Sequence, residues 1–382
     1  MIFTAIFAAI LIVLLGVHLT YPILLRILSK KYAAESGNRR IHLGSSAKLP
    51  MVSVLIPVYN EESMIENRIN NILQTSYPNN KIEIIVIDSG SNDKTRSIIE
   101  SNFPNTVTLI TEEERRGKAH TINLALKECK GDIVILTDGT TLYDKGTILE
   151  LVNSFQNDKI GAVSAFYDVP NRQESHVSAS EHKFWGYKDN IRALESKVHS
   201  TSWLSGEACA FRRGIISQVH EDTLADDSNI ALQIISKGYR AIVNENAHFT
   251  ESSPTKVADY LRVKSRRALG GLNETLRFRK LLFKRNYGYF GTLIFPYRFF
   301  VYVISPILSC ALIILTIPAI NEVISNLGLH ITLLISFVLI SAGILRRDTT
   351  LTYFYTQLIT ILALFRLLTG NVDVRWTRSK TR

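Results

Sequence analysis

At 382 residues the chain has room for one sizeable catalytic domain and further segments, and 44 Lys+Arg against 34 Asp+Glu give a formal charge of +10. That balance suits phosphorylated ligands or anionic lipid, and a mean hydropathy of +0.10 is high for a soluble protein. The three cysteines, Cys129, Cys209 and Cys310, are scattered without metal-ligand spacing, which argues against a disulfide framework or a cysteine metal site and for free thiols in a reducing compartment.

Residues 1–28 read as an uncleaved transmembrane anchor, because Ile2 to Leu28 is almost wholly apolar and long enough to cross a bilayer. No positive charge precedes it, whereas Arg26, Lys30, Lys31, Arg39 and Arg40 follow, so the chain is expected to enter the cytoplasm here. Neither a basic start nor a small-residue cleavage site marks a removable signal. A linker at 29–50 leads into the middle of the chain.

Residues 51–275 alternate between strand and helix patterns. Apolar strand candidates are Val52–Pro57, Ile82–Asp88, Val107–Thr111, Asp132–Thr137 and Ile160–Phe166, with helix-like stretches at Ser63–Gln74, Lys94–Ser101 and Lys118–Cys129. This alternation implies an α/β domain with a mostly parallel sheet covered on both faces. Ligands of such sheets lie beyond the carboxyl ends of the strands.

A basic amphipathic segment at 276–289 leads to an apolar region at 290–370, read as about three transmembrane helices at Phe290–Ile320, Ile331–Leu345 and Leu351–Leu368. The tail, 371–382, is basic. Three passes would leave that tail outside, against the charge rule, unless the short middle stretch crosses incompletely or the long first one crosses twice. Because the positive charge gathers beside apolar segments, it speaks for membrane lipid and against nucleic acid.

Three acidic clusters fall where the sheet rule places chemistry. The first strand ends in Pro57-Val58-Tyr59-Asn60-Glu61-Glu62, the second in Asp88-Ser89-Gly90, and the fourth in Thr137-Asp138-Gly139-Thr140. One Asp after a strand is ordinarily a cap or turn residue. Three at one edge of one sheet point to a shared nucleotide and metal site. A departing diphosphate gathers negative charge that a divalent cation neutralises, and hard cations take carboxylate oxygens. Arg116-Gly117-Lys118 adds positive charge near the same edge. Further on, Asp226-Asp227 before the helix-like Ser228–Lys237 is either helix capping or a general base acting on an acceptor hydroxyl.

These motifs, in this order, resemble family-2 glycosyltransferases of the GT-A (Rossmann-like) fold, in the membrane-integrated branch that holds the hyaluronan, cellulose, chitin and poly-N-acetylglucosamine synthases. The resemblance covers about Val52 to Gly271. It implies that Pro57, Tyr59, Asn60 and Glu61 line the nucleotide pocket, that Asp88 holds the nucleoside, and that Lys118 lies beside it. It implies a metal site of Asp138 with Thr140, carrying Mg²⁺ or Mn²⁺. It further implies that Gly206 and Glu207 face the acceptor, as does Arg267, and that Asp227 is the base; apart from the resemblance, Lys183-Phe184-Trp185-Gly186-Tyr187 and Trp203 read either as an aromatic platform for the acceptor sugar or as core packing. Lys264-Ser265-Arg266-Arg267 stands where relatives carry Gln-x-x-Arg-Trp, with Arg266 on the diphosphate. Thr140 and Ser89 replace second acids of two motifs, and Arg267 replaces the Trp on which a growing polymer end stacks.

The function this resemblance implies is inverting transfer from a nucleotide-sugar, UDP-linked by expectation, to a polyprenyl-linked glycan, by a multi-pass cell-membrane protein with a cytoplasmic catalytic domain. The alternatives are a processive polysaccharide synthase and a catalytically silent nucleotide-sugar-binding subunit.

Overall fold

The computed structural model describes residues 2–35, 49–327 and 347–370. Helix α1 (Ile2–Glu35) precedes the domain. The domain opens with β1 (Val52–Val58), α2 (Ile65–Leu73), β2 (Ile82–Ser89), α3 (Thr95–Asn102), β3 (Val107–Glu112), α4 (Lys118–Glu128) and β4 (Ile133–Leu136). It continues through β5 (Leu142–Tyr143), α5 (Thr147–Asn153), β6 (Ile160–Asp168), α6 (His176–Val198), β7 (Cys209–Arg212), α7 (Asp226–Ser236), β8 (Arg240–Thr250) and α8 (Val257–Arg277). The eight strands form one sheet in the order β3-β2-β1-β4-β7-β6-β8-β5.

The first four strands are parallel to one another, as the βαβ pattern requires. The sheet then turns mixed: β7 runs antiparallel to both β4 and β6, and β5 is antiparallel to β8. The five anticipated strands and three anticipated helices are present. β5, β7 and β8 complete the sheet beyond them.

Strands buried on both faces read as continuous apolar runs, and alternate residues serve opposite cores. Val54 and Ile56 of β1 point into a core with α2, α3 and α5, while Leu55 points into a second core with α4 and α7. That second core includes Tyr21 and Leu25 of α1 and Phe290, Ile294 and Phe295. The flanking helices therefore share a hydrophobic core with the sheet, joined through α4 and α7.

A single helical stretch, α9 (Phe290–Asn326), is 37 residues long, and with Ile2–Lys31 of α1 it is long and apolar enough to cross a bilayer. α10 (Arg347–Leu368) carries a shorter apolar helix at Gln357–Leu368. Their outward faces expose Ile12, Leu19, Ile313, Ile314, Ile317 and Phe365. α1 and α9 are tied at both ends. Thr4 donates to Glu322 at 3.0 Å, and Tyr21 stacks on Tyr297 with centroids 3.5 Å apart while its hydroxyl donates to Glu195 of α6 at 2.6 Å. The segment 276–289 is the end of α8 followed by two 3₁₀ turns, Arg279–Leu281 and Arg285–Tyr287. The expected helix Ile331–Leu345, the basic tail and most of the 29–50 linker lie outside the described residues.

Candidate active site

The loops after β1 and β2 are zipped together by backbone-to-side-chain bonds. Asn60 N–H donates to Ser91 Oγ at 2.9 Å, Asn92 N–H to the Asn60 side chain at 2.9 Å, and Glu61 N–H to Thr95 Oγ1 at 2.9 Å. Asn60 adopts φ 55°, a left-handed conformation that Asn tolerates better than most residues. At the base of this loop pair Asp88 is fully buried, accepting from the Ser91 amide and from Arg96 Nε. Arg115 lies over the Tyr59 ring at 3.7 Å. Arg96 and Arg115 are thus members of this end of the site that motif reading passed over. Nothing in their local pattern separates them from ordinary surface arginines.

The β4 end is braced from beneath. Arg68 of α2, wholly buried, donates to Thr137 Oγ1 at 2.8 Å and stacks over Tyr143, and Thr137 donates to the Glu207 carbonyl at 2.7 Å. These contacts fix the turn that presents Asp138. Lys118, the first residue of α4, donates to Asp138 Oδ1 at 2.7 Å and lies 3.3 Å from Asp226 Oδ2. Burial alone would lower the Lys118 ammonium, but the carboxylates of Asp138 and Asp226 raise it above its ordinary value. It stays charged and screens the two acids from each other. Thr140 is differently engaged: its hydroxyl donates to the buried Glu251 at 2.5 Å.

Asp226 and Asp227 form the first turn of α7, where the helix dipole favours negative charge. They are inside the helix and not ahead of it as the sequence suggested. Asp227 accepts from the Ser228 amide at 2.6 Å. Burial, then the negative charges of Asp226 and Glu207, push its carboxyl up to about 6. That is a value suited to a base working near neutral pH.

α6 and α8 build the remaining wall. Lys264 and Arg267 of α8 both pair with Glu181 of α6, at 2.7 and 3.4 Å, and Arg267 also pairs with Glu207 at 3.0 Å. Trp185 donates its indole N–H to the same Glu181 at 2.8 Å. α8 approaches this closely because of two glycines. A Cβ on Gly270 would fall 2.9 Å from Ala225 Cβ, and one on Gly271 would fall 2.4 Å from the Tyr302 ring.

One cavity brings together Lys118, Asp138, Gly206, Glu207, Asp226, Asp227, Arg266 and Arg267, with Trp185, Lys188, Trp203 and Tyr302 on its walls. Pro57, Tyr59, Glu61 and Asp88 sit outside that lining, although Glu61 adjoins it: a Cβ on Gly139 would lie 3.3 Å from the Glu61 side chain. Tyr302 comes from α9, and the neighbouring Arg298 holds Ser202, Thr275 and the Gly271 carbonyl. Trp185 and Trp203, read from the sequence as either a sugar platform or core packing, both line the cavity, whereas sequence reading missed Lys188, Glu251 and Tyr302.

A Rossmann-like mixed sheet with acids and a lysine gathered at its strand ends defines a GT-A glycosyltransferase. Residues 53–219 match the profile of glycosyl transferase family 2. The chain is 26% identical over 286 residues to the probable glycosyltransferase YdaM of Bacillus subtilis, covering 71% of this chain and 67% of that one. It is 25% identical over 235 residues to the poly-β-1,6-N-acetyl-D-glucosamine synthase of Staphylococcus aureus strain COL, covering 60% of this chain and 57% of that one. Among solved structures, the mannosyltransferase PcManGT from Pyrobaculum calidifontis, in complex with GDP-Man and Mn²⁺, superposes with a TM-score of 0.77 at 25% identity, covering 97% of this chain and all of that one. That likeness runs past the sheet domain into the flanking helices.

Proposed function

We propose that the chain is a membrane-embedded inverting glycosyltransferase that moves a sugar from a nucleotide-sugar to a polyprenyl-linked glycan at the cytoplasmic face of the cell membrane. The observation that carries this reading is one cavity with Asp138 and Lys118 on one side, Asp227 on another, and Tyr302 of a bilayer-length helix in its wall. The domain boundaries we adopt are an anchor at 1–28, a catalytic domain at 51–275 and a membrane region at 290–370.

In this reading the nucleoside lies over the zipped loops, against Tyr59 and Asp88, and the diphosphate reaches Asp138. The carboxylates of Asp138, Glu207, Asp226 and Asp227 line one cavity and are of the kind a divalent cation takes, and a cation on Asp138 would replace the Lys118 ammonium that now lies 2.7 Å from it. Asp138 would hold the ion, with the Thr140 hydroxyl oxygen, whose hydrogen is given to Glu251, as its second protein ligand. The cation, Mg²⁺ or Mn²⁺, would neutralise charge on the departing diphosphate. Arg266 contributes a guanidinium from the facing wall, whose planar donors suit phosphate oxygens. Asp227 takes the proton of the acceptor hydroxyl as that oxygen attacks the anomeric carbon from the side opposite the diphosphate, inverting its configuration.

The base of the donor follows from a screen. Radiolabelled UDP- and GDP-sugars, offered to membranes containing the full chain, are expected to label an organic-extractable product with one nucleotide class; no labelling with any donor would overturn the reading. A second reading, processive synthesis of a polysaccharide, is favoured by Trp185 and Trp203 on the cavity wall, since aromatic faces give a sugar chain the grip that Arg267 does not. A high-molecular-weight, glycosidase-sensitive product would select it.

A further inference from the structure

One wall of the cavity carries hydrogen-bond donors that the described residues leave unused. Lys188 of α6 lines the cavity with Nζ 4.5 Å from the Trp185 centroid and 5.7 Å from that of Trp203. Among the described residues no carboxylate lies within ion-pair distance of it. The cations around it are already paired: Arg192 with Asp189, Lys264 with Glu181, and Arg267 with Glu181 and Glu207. Beside Lys188, the Trp203 indole N–H is buried and also finds no acceptor among the described residues. A buried donor without a partner keeps the cost of its lost hydration, which a ligand oxygen would recover.

Both groups only donate, so the ligand atoms they meet are acceptors, and the positive surroundings favour an anion over a neutral hydroxyl. Burial, then Arg192 on its own helix and Lys264 and Arg267 on α8, lower the Lys188 ammonium to about 7, with Asp227 of α7 acting the other way. An incoming anion supplies the counter-charge that is missing. Tyr302 of α9 lines the same space, so this wall meets the helix whose other residues are apolar enough for a bilayer. An anion at that boundary is where the phosphate of a lipid-linked molecule sits.

We infer that Lys188 and Trp203 form an anion subsite that takes the phosphate of the lipid-linked acceptor. The inference rests on the transfer to a lipid-linked glycan proposed above, and deepens it by giving the acceptor a phosphate with its own recognition site.

The test uses the full chain in a phosphate-free detergent, titrated with farnesyl phosphate, farnesol and farnesoic acid. Wild type is expected to bind the phosphate about tenfold or more tightly than the alcohol. Lys188→Met should bring that preference to within about threefold, Lys188→Arg should keep it, and Trp203→Phe, which removes only the N–H, should reduce it by less. Farnesol binding by each variant reports that the cavity is still formed. Equal binding of phosphate and alcohol by wild type, or a full preference surviving in Lys188→Met, would overturn the subsite. So would farnesoic acid binding as tightly as the phosphate, which would reassign the site to acidic sugars. Sugar transfer to a lipid-linked glycan is measured in the same preparation. Transfer without a phosphate preference overturns only the subsite; a preference without transfer overturns the proposed function and leaves the subsite standing.

Discussion

The two ends of the site are built on different principles. At the donor end the polar groups satisfy one another over short stretches of chain: Asp88 is held by Ser91 and Arg96, and the loop after β1 closes on the loop after β2. At the acceptor end the partners are far apart in sequence, as in Lys264 with Glu181 and Arg267 with Glu207, and one cation and one indole N–H are left over. The first end is finished without ligand. The second is finished only by what binds to it, so donor binding should tolerate losses at Glu181, Lys188 and Arg267 better than transfer does.

The sharpest way to break this contrast is Asp227→Asn. It should lower transfer by about 10³-fold while donor affinity stays within about threefold, because a general base acts on the acceptor alone. Labelled-sugar transfer alongside donor titration checks it, and retention of more than about a few per cent of turnover would move the role to Asp226 or elsewhere. Next in size, Asp138→Ala should abolish the divalent-dependent part of donor binding. Thr140→Ala should weaken it less, since a neutral hydroxyl oxygen holds a hard cation more weakly than the Asp138 carboxylate does. Full activity in excess chelator would remove the cation from the mechanism.

A smaller effect is expected from pH. With the Asp227 carboxyl at about 6, it is protonated and idle below that value and ionised above it. kcat/KM should therefore rise as pH climbs through about 6, falling about tenfold per unit on the acid side. Asp226→Asn removes one of the charges that raise Asp227, so the acid limb should move to lower pH. A limb that stays put would mean the titrating group is not Asp227. The smallest expected effect is on stability. Arg267→Ala leaves Glu207 without its ion-pair partner while Glu181 keeps Lys264, and Arg267 is 27% exposed. A loss of about 2 kcal/mol in denaturant unfolding is expected, below the figure for a fully buried pair. No measurable loss would show the acceptor-side network to be as solvated as a surface.

The contrast also explains what the amino-acid sequence reveals. Strands β1, β2, β3, β4 and β6 are apolar runs closed by polar residues, so each is read to within two residues. β7 has four residues and β5 two, too short for any period to register. β8 carries Asn244-Glu245-Asn246 in mid-strand, and its pairing with β6 is interrupted by register shifts. α6 hides because it buries Glu181, Asp189, Arg192 and Glu195, so its inward face is polar where a helix pattern expects an apolar stripe. The motif acids Asp138 and Asp227 were legible because strand ends and helix starts are local features. Arg267, at the position of the stacking Trp, lies in ion pairs with Glu181 and Glu207 that its own segment does not announce. A pairing between α6 and α8 leaves no mark on either segment alone.

The reach of α9 into the cavity sets an order of events in the making of the protein. The last long strand ends at Thr250, yet the wall residue Tyr302 and the clasp Arg298 come later in the chain. At roughly 5–20 residues per second, about 3–10 s separate them on the ribosome. Throughout that interval a nascent sheet can close its own core while its cavity still lacks a side. Only when α9 has been delivered alongside α1 does the cavity acquire Tyr302, so a newly made copy gains its complete active site no earlier than its second bilayer-length helix.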